Sequence, residues 1–205
     1  MDTNIDEILE ALSKVEPPKD VLSSQETFMQ HIENHKQTVK DQKKSTIDEE
    51  KKLCENAAEH GYIECLEYLH KNNYTWDEET CVLAAMTGNK EILEFAHENG
   101  CPWDARVCSA ACEIGDIEIL KYANENGCAW DSFTIDNCAE YGYVDCMEFA
   151  HRKGCPISSR VYYLANRYNN IECLIYAFEN NFPCSPYDKL MISQKVKTSI
   201  ERYKL

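Results

Sequence analysis

Apolar positions between residues 54 and 188 recur with a period of 27, and within each period they recur at helical spacing. In rows, the stretch reads "CENAAEHGYIECLEYLHKNNYTWDEET" from Cys54, "CVLAAMTGNKEILEFAHENGCPWDARV" from Cys81 and "CSAACEIGDIEILKYANENGCAWDSFT" from Cys108. Two looser rows follow, from Ile135 and from Tyr162. After Gly88, the residues Ile92, Leu93, Phe95 and Ala96 share one broad helical face, and the other rows repeat it. Leu66, Leu93, Leu120, Met147 and Leu174 form one column; Tyr68, Phe95, Tyr122, Phe149 and Tyr176 form another. Each row also carries two stops. The first is Gly61, Gly88, Gly115, Gly142 and Asn169; the second is Asn73, Gly100, Gly127, Gly154 and Asn181. Glycine and asparagine tolerate the left-handed conformation that closes a helix. Two stops per row predict two helices of roughly ten residues each.

The recurring "NGCPWD" and "NGCAWD" cassettes fit this punctuation. Gly100 ends one helix and Asp104 is placed to cap the next. Trp103 and Cys108 then stand at the two positions of a hydrophobic staple, as do Trp76 with Cys81 and Trp130 with Ile135. Cys101 suits the apolar contact of a Schellman end. His70, His97 and His151 share a column near the ends of the second helices, where a histidine can satisfy terminal carbonyls. A single helix pair of this length cannot hold a core, so the pairs must stack as a solenoid.

The string "TCVLAAMTGNKEILEFAHENGC" resembles the ankyrin repeat: a first helix ending in Ala-Ala, two free residues, Gly, a second helix and a Gly-plus-small close. The resemblance spans about residues 54–188. Ankyrin repeats usually run longer, and the shortfall falls where that family builds its β-hairpin finger. Short repeats with "GCPWD" are similar to those of giant DNA viruses and of some amoebae and oomycetes. The fold implied is all-α: an αα-solenoid of five short helix–turn–helix repeats without fingers, between helical caps. The resemblance also implies that the two free residues lie on the concave side. They are Glu59 and His60, Met86 and Thr87, Glu113 and Ile114, Glu140 and Tyr141, and Arg167 and Tyr168. Met86, Ile114, Tyr141 and Tyr168 would run down adjacent repeats beside glutamates, a pattern suited to protein binding.

The ends do not fit the repeat. Residues 1–53 are expected to form an N-terminal helical cap or extension, and 189–205 a C-terminal capping helix. "NIDEILEALSKV" is amphipathic and is stopped by "EPPK". Ser23 with Glu26, and Thr46 with Glu49, have capping-box spacing, so helices are expected to open there, the second near Ile47. The tail is basic, with five basic residues and one acidic, whereas the repeats hold 23 acidic and 8 basic residues.

Charge and composition narrow the function. The net charge of −15 argues against a nucleic-acid binder that tracks phosphates. No long apolar run implies a membrane span, and the acidic start does not resemble a signal peptide. Twelve cysteines without C-x-x-C spacing imply buried thiols in a reducing, cytoplasmic setting rather than disulfides or a zinc site. Nucleophile elbows, phosphate loops and dinucleotide glycine patterns are missing from the sequence. No cofactor, metal, catalytic residue or small-molecule substrate is expected. The expected function is a monomeric, non-catalytic module that binds a protein, a host protein if the chain is viral. The competing expectation is a structural or assembly component that self-associates.

Overall fold

The computed structural model describes residues 19–42 and 47–185. The amphipathic segment at 4–15, Thr46 and the tail 189–205 lie outside the described residues. By compactness the chain divides into two units, 1–49 and 50–205.

In the first unit, helix α1 covers Lys19–Gln42. It begins directly after the Pro17–Pro18 pair, five residues earlier than the capping-box spacing of Ser23 and Glu26 suggests. Proline favours the entrance of a helix over its interior, so the pair sets the start and Ser23 falls inside the first turns.

Ten further helices follow among the described residues. The first helices of the repeats are α2 (Ile47–Glu59), α4 (Glu78–Met86), α6 (Arg106–Ile114), α8 (Ser132–Tyr141) and α10 (Val161–Arg167). The second helices are α3 (Ile63–Lys71), α5 (Lys90–Glu98), α7 (Ile117–Glu125), α9 (Val144–Arg152) and α11 (Ile171–Glu179). No strand occurs among the described residues. The arrangement is an all-α solenoid of repeated helix–turn–helix units.

All ten predicted stops carry a positive φ, between 53° at Asn181 and 90° at Gly142. Each closes its helix with the long-range bond of a Schellman motif, for example Cys101 N–H to the Ala96 carbonyl at 2.9 Å and Tyr62 N–H to Ala57 at 2.9 Å. The leucine-type column is fully buried from Leu66 to Leu174. First helices stack on first helices, α4 on α6, α6 on α8 and α8 on α10, more closely than second helices meet one another. Side-chain size accounts for this. The first helices bury Ala57, Ala84, Ala111, Cys112 and Ala139, whereas the second helices carry leucines and half-buried aromatics.

Polar latches join consecutive repeats. The Glu50 carboxylate accepts from the Thr75 N–H and hydroxyl, and Lys51 pairs with Asp77 at 3.0 Å. Arg106 bridges back to Glu79 at 2.5 Å. The Ser109 hydroxyl donates to Asp131 at 2.9 Å. Ser158 donates to the buried Asp136, which Arg160 also approaches at 3.4 Å. Burial raises the Asp136 pKa, and the Ser158 hydrogen bond and Arg160 oppose that rise.

Candidate interaction surface

The first helices end in the residue pairs that the repeat pattern singles out. Their exposure follows from the fold. The buried face of each first helix is used by Ala, Cys and Leu, and the Schellman turn that follows leaves the last two residues outside it. Met86, Tyr141 and Tyr168 are exposed, at 43%, 48% and 47%. Glu59, His60, Thr87 and Arg167 are exposed as well, and Glu113, Ile114 and Glu140 are half-buried.

Only part of this set comes together. The Tyr141 hydroxyl donates to Glu113 of the preceding repeat at 3.2 Å. Tyr168 and Glu140 occupy the equivalent positions one repeat further on. Both phenols are held above their ordinary range: Tyr141 by burial and then by the Glu113 charge, Tyr168 chiefly by the Glu140 carboxylate. The Arg167 guanidinium lies 5.7 Å from the Tyr168 ring centre and 5.8 Å from that of Tyr163, and it donates to the Tyr163 hydroxyl at 2.6 Å. The N-terminal pairs are turned to local work instead. His60 Nδ1 pairs with the Asn56 carbonyl at 2.9 Å and its ring stacks on Tyr62. The Thr87 hydroxyl donates to the Leu83 carbonyl at 2.9 Å. Ile114 packs over the preceding turn, with its Cδ1 3.5 Å from where a Cβ on Gly88 would sit.

Two exposed aromatics extend the surface beyond the predicted pairs. Phe133 is 56% exposed and lies two turns before Tyr141 on α8; Tyr163 lies one turn before Arg167 on α10. Reading the first helices by their outward periodicity, as the second helices were read by their inward one, would have found Phe133.

Several residues do work that helix punctuation alone does not predict. Trp76 stacks on His70 at 4.4 Å between ring centres, and Trp103 on His97 at 3.7 Å. Each of these histidines also meets, edge-on, the aromatic of the next second helix: His70 with Phe95 and His97 with Tyr122. His151 repeats the pattern with Tyr176 and Phe182. His97 and His151 bond the Tyr122 and Tyr176 hydroxyls, at 3.1 and 2.9 Å, rather than the helix-end carbonyls expected of them. At the end of the His97 helix the Phe95 carbonyl is taken by Asn99 Nδ2, which donates to it at 2.8 Å, whereas the His151 helix has Lys153 at the same position. Asp77 and Asp131 cap their helices as expected. Asp104 differs slightly. Its carboxylate still accepts from the Arg106 N–H at 2.9 Å, but the helix opens one residue later, after Ala105.

The twelve cysteines are free thiols, eleven of them buried. Burial pushes Cys54, Cys65, Cys155 and Cys173 up to about 12. The Cys101, Cys128 and Cys155 thiols donate to the carbonyls of Asp77, Asp104 and Asp131, tying each helix end to the cap of the same repeat's first helix. Among the described residues, no group of three or more His, Cys, Asp or Glu is placed to hold a metal ion. None of the described helices is long and apolar enough to cross a membrane. No protein-family model matches the chain, and no curated protein is significantly similar to it.

Proposed function

We propose that this chain is a non-catalytic interaction module of ankyrin type that binds a protein partner through the concave, first-helix side of its solenoid. The observation that carries the reading is the pair of exposed tyrosines, Tyr141 and Tyr168, set one repeat apart, with Tyr141 hydrogen-bonded to Glu113 of the preceding repeat and Glu140 at the equivalent position before Tyr168. The fully buried leucine-type column supplies the packing without them. Exposed aromatics in a polar surround are what binding hot spots use. The resemblance to giant-virus repeats supports a host protein as the partner, met in the host cytoplasm, with caps at both ends of the array.

The test is capture of a partner from host-cell lysate by the wild type and by the Tyr141→Ala/Tyr168→Ala double variant. The variant is expected to lose about 2 kcal/mol or more of binding free energy, with an unchanged melting temperature. Retained binding with early unfolding would place the tyrosines in the core and remove the surface.

Self-association is a second reading with an observation in its favour. Val82, Ser109 and Asp136 occupy equivalent positions and are buried, whereas Tyr163, their counterpart in the last repeat, is 54% exposed. Light scattering separates the two readings: a monomer supports partner binding, and a stable oligomer supports assembly.

A further inference from the structure

We infer that the Glu113–Tyr141 and Glu140–Tyr168 pairs are seats for the cationic side chains of an extended, basic polypeptide segment, one arginine or lysine per repeat. The inference rests on the proposed use of the first-helix side and adds the chemistry of the partner.

The first seat offers a carboxylate bonded to a half-exposed tyrosine, and the second sets the same two residue types at the equivalent positions one repeat on. A carboxylate takes a guanidinium or ammonium by charge-assisted hydrogen bonds. The face of the neighbouring ring attracts the same cation through its quadrupole. The chain contains an example of the contact. Arg167 occupies the column of Glu59, Met86, Glu113 and Glu140, and there its guanidinium lies within 6 Å of both Tyr163 and Tyr168. Glu113 and Glu140 form no salt bridge among the described residues. The basic residues at the opening turns of the same layer are committed elsewhere: Arg106 to Glu79 and Asp104, Arg160 to Asp136. The repeats hold 23 acidic residues against 8 basic ones, so the long-range field also favours a basic partner.

Spacing sets the form of that partner. Stacked helices lie about 8–10 Å apart, and an extended chain advances about 3.3 Å per residue. Cations three residues apart on an extended segment therefore match successive seats, whereas contiguous ones fall between them.

The full chain would be titrated into a fluorescein-labelled peptide of repeated Arg-Ser-Thr triplets, followed by fluorescence anisotropy. The control peptide has the same composition with its arginines contiguous. Tighter binding of the triplet peptide is expected, weakening as salt rises. Glu113→Gln/Glu140→Gln should reduce its affinity roughly tenfold or more. Glu98→Gln/Glu125→Gln, which removes equal charge from the exposed ends of α5 and α7, should change it far less. Tyr141→Phe keeps the ring and should bind better than Tyr141→Leu. Circular dichroism would confirm that each variant is folded. Failure of the wild type to bind the triplet peptide would overturn the inference, as would equal affinity for both peptides or equal losses in the two glutamine variants. If the tyrosine double variant still loses a lysate partner while neither peptide binds, the interaction surface stands and the basic partner falls.

Discussion

At Thr80 the hydroxyl is fully buried and has no hydrogen-bond partner. The equivalent position in the third and fifth repeats is valine, Val107 and Val161, both fully buried. In the fourth it is Thr134, whose hydroxyl is satisfied by Asp131 at 3.2 Å. At Asp77 the carboxylate accepts from the Glu79 N–H and pairs with Lys51 instead. Thr80→Val keeps the shape and removes an unpaired polar group, so it should stabilise the protein by about 1 kcal/mol in chemical denaturation. A loss of stability would mean that a buried water serves the hydroxyl. Two glycines separate backbone strain from packing in the same way. Gly100 and Gly115 both hold positive φ, 84° and 76°, so alanine at either costs about 1–2 kcal/mol. A Cβ at Gly100 meets nothing within 4 Å, whereas at Gly115 it would lie 2.4 Å from the Tyr143 ring. Gly115→Ala should therefore shift the urea midpoint further than Gly100→Ala; equal shifts would show that the Tyr143 ring swings aside freely.

Among the elements, what was legible is what is local. A stop residue fixes φ at its own position, so ten stops marked ten helix ends, and Asp77 and Asp131 announced two helix starts by residue type alone. The latches were not legible, because their partners lie 22 to 27 residues apart and change chemistry at every junction, from Lys51–Asp77 and Arg106–Glu79 to Ser109–Asp131. The histidine stacks were hidden for the same reason. His97 and Tyr122 were each read within a column, and their contact crosses columns at a separation of 25. In the predicted surface, the Tyr141–Glu113 bond was unreadable because it depends on the stacking register, not on either helix. Caps and latches converge at Asp131, whose Oδ1 accepts from the Thr134 N–H, the Thr134 hydroxyl and the Ser109 hydroxyl of the preceding repeat. Asp131→Ala should cost about 2–3 kcal/mol, since it removes a cap, takes the acceptor of the buried Thr134 hydroxyl and breaks the Ser109 latch, leaving the Ser109 hydroxyl to the Ala105 carbonyl. Asp77→Ala, which loses a cap and a partly exposed ion pair, should cost about 1 kcal/mol. Parallel denaturation curves compare the two, and equal losses would show that the Ser109 latch contributes nothing.

Across the whole array, each repeat contacts only its neighbours, so its resistance to opening depends on how many neighbours it has. The cysteines are spread along the repeats and report this. Cys54 and Cys65 lie in the first, Cys108, Cys112 and Cys128 in the third, and Cys173 in the fifth. All of these are buried, and burial raises Cys54, Cys65 and Cys173 to about 12, so these three hold little thiolate at pH 8 while the fold is intact. Cys184 alone is half-exposed. Native protein given a thiol reagent should therefore lose one thiol quickly, at Cys184, and the other eleven slowly through opening of the structure. Mass spectrometry of timed samples resolves the order. With nearest-neighbour coupling, the first and fifth repeats open more readily, so Cys54, Cys65 and Cys173 should react before Cys108 and Cys112. In denaturant all twelve should react together. If the eleven slow thiols of the native protein instead share a single rate, opening is global and the array unfolds as one cooperative block. The Tyr141 and Tyr168 seats would then rest on a surface that neither frays nor remodels when a partner arrives.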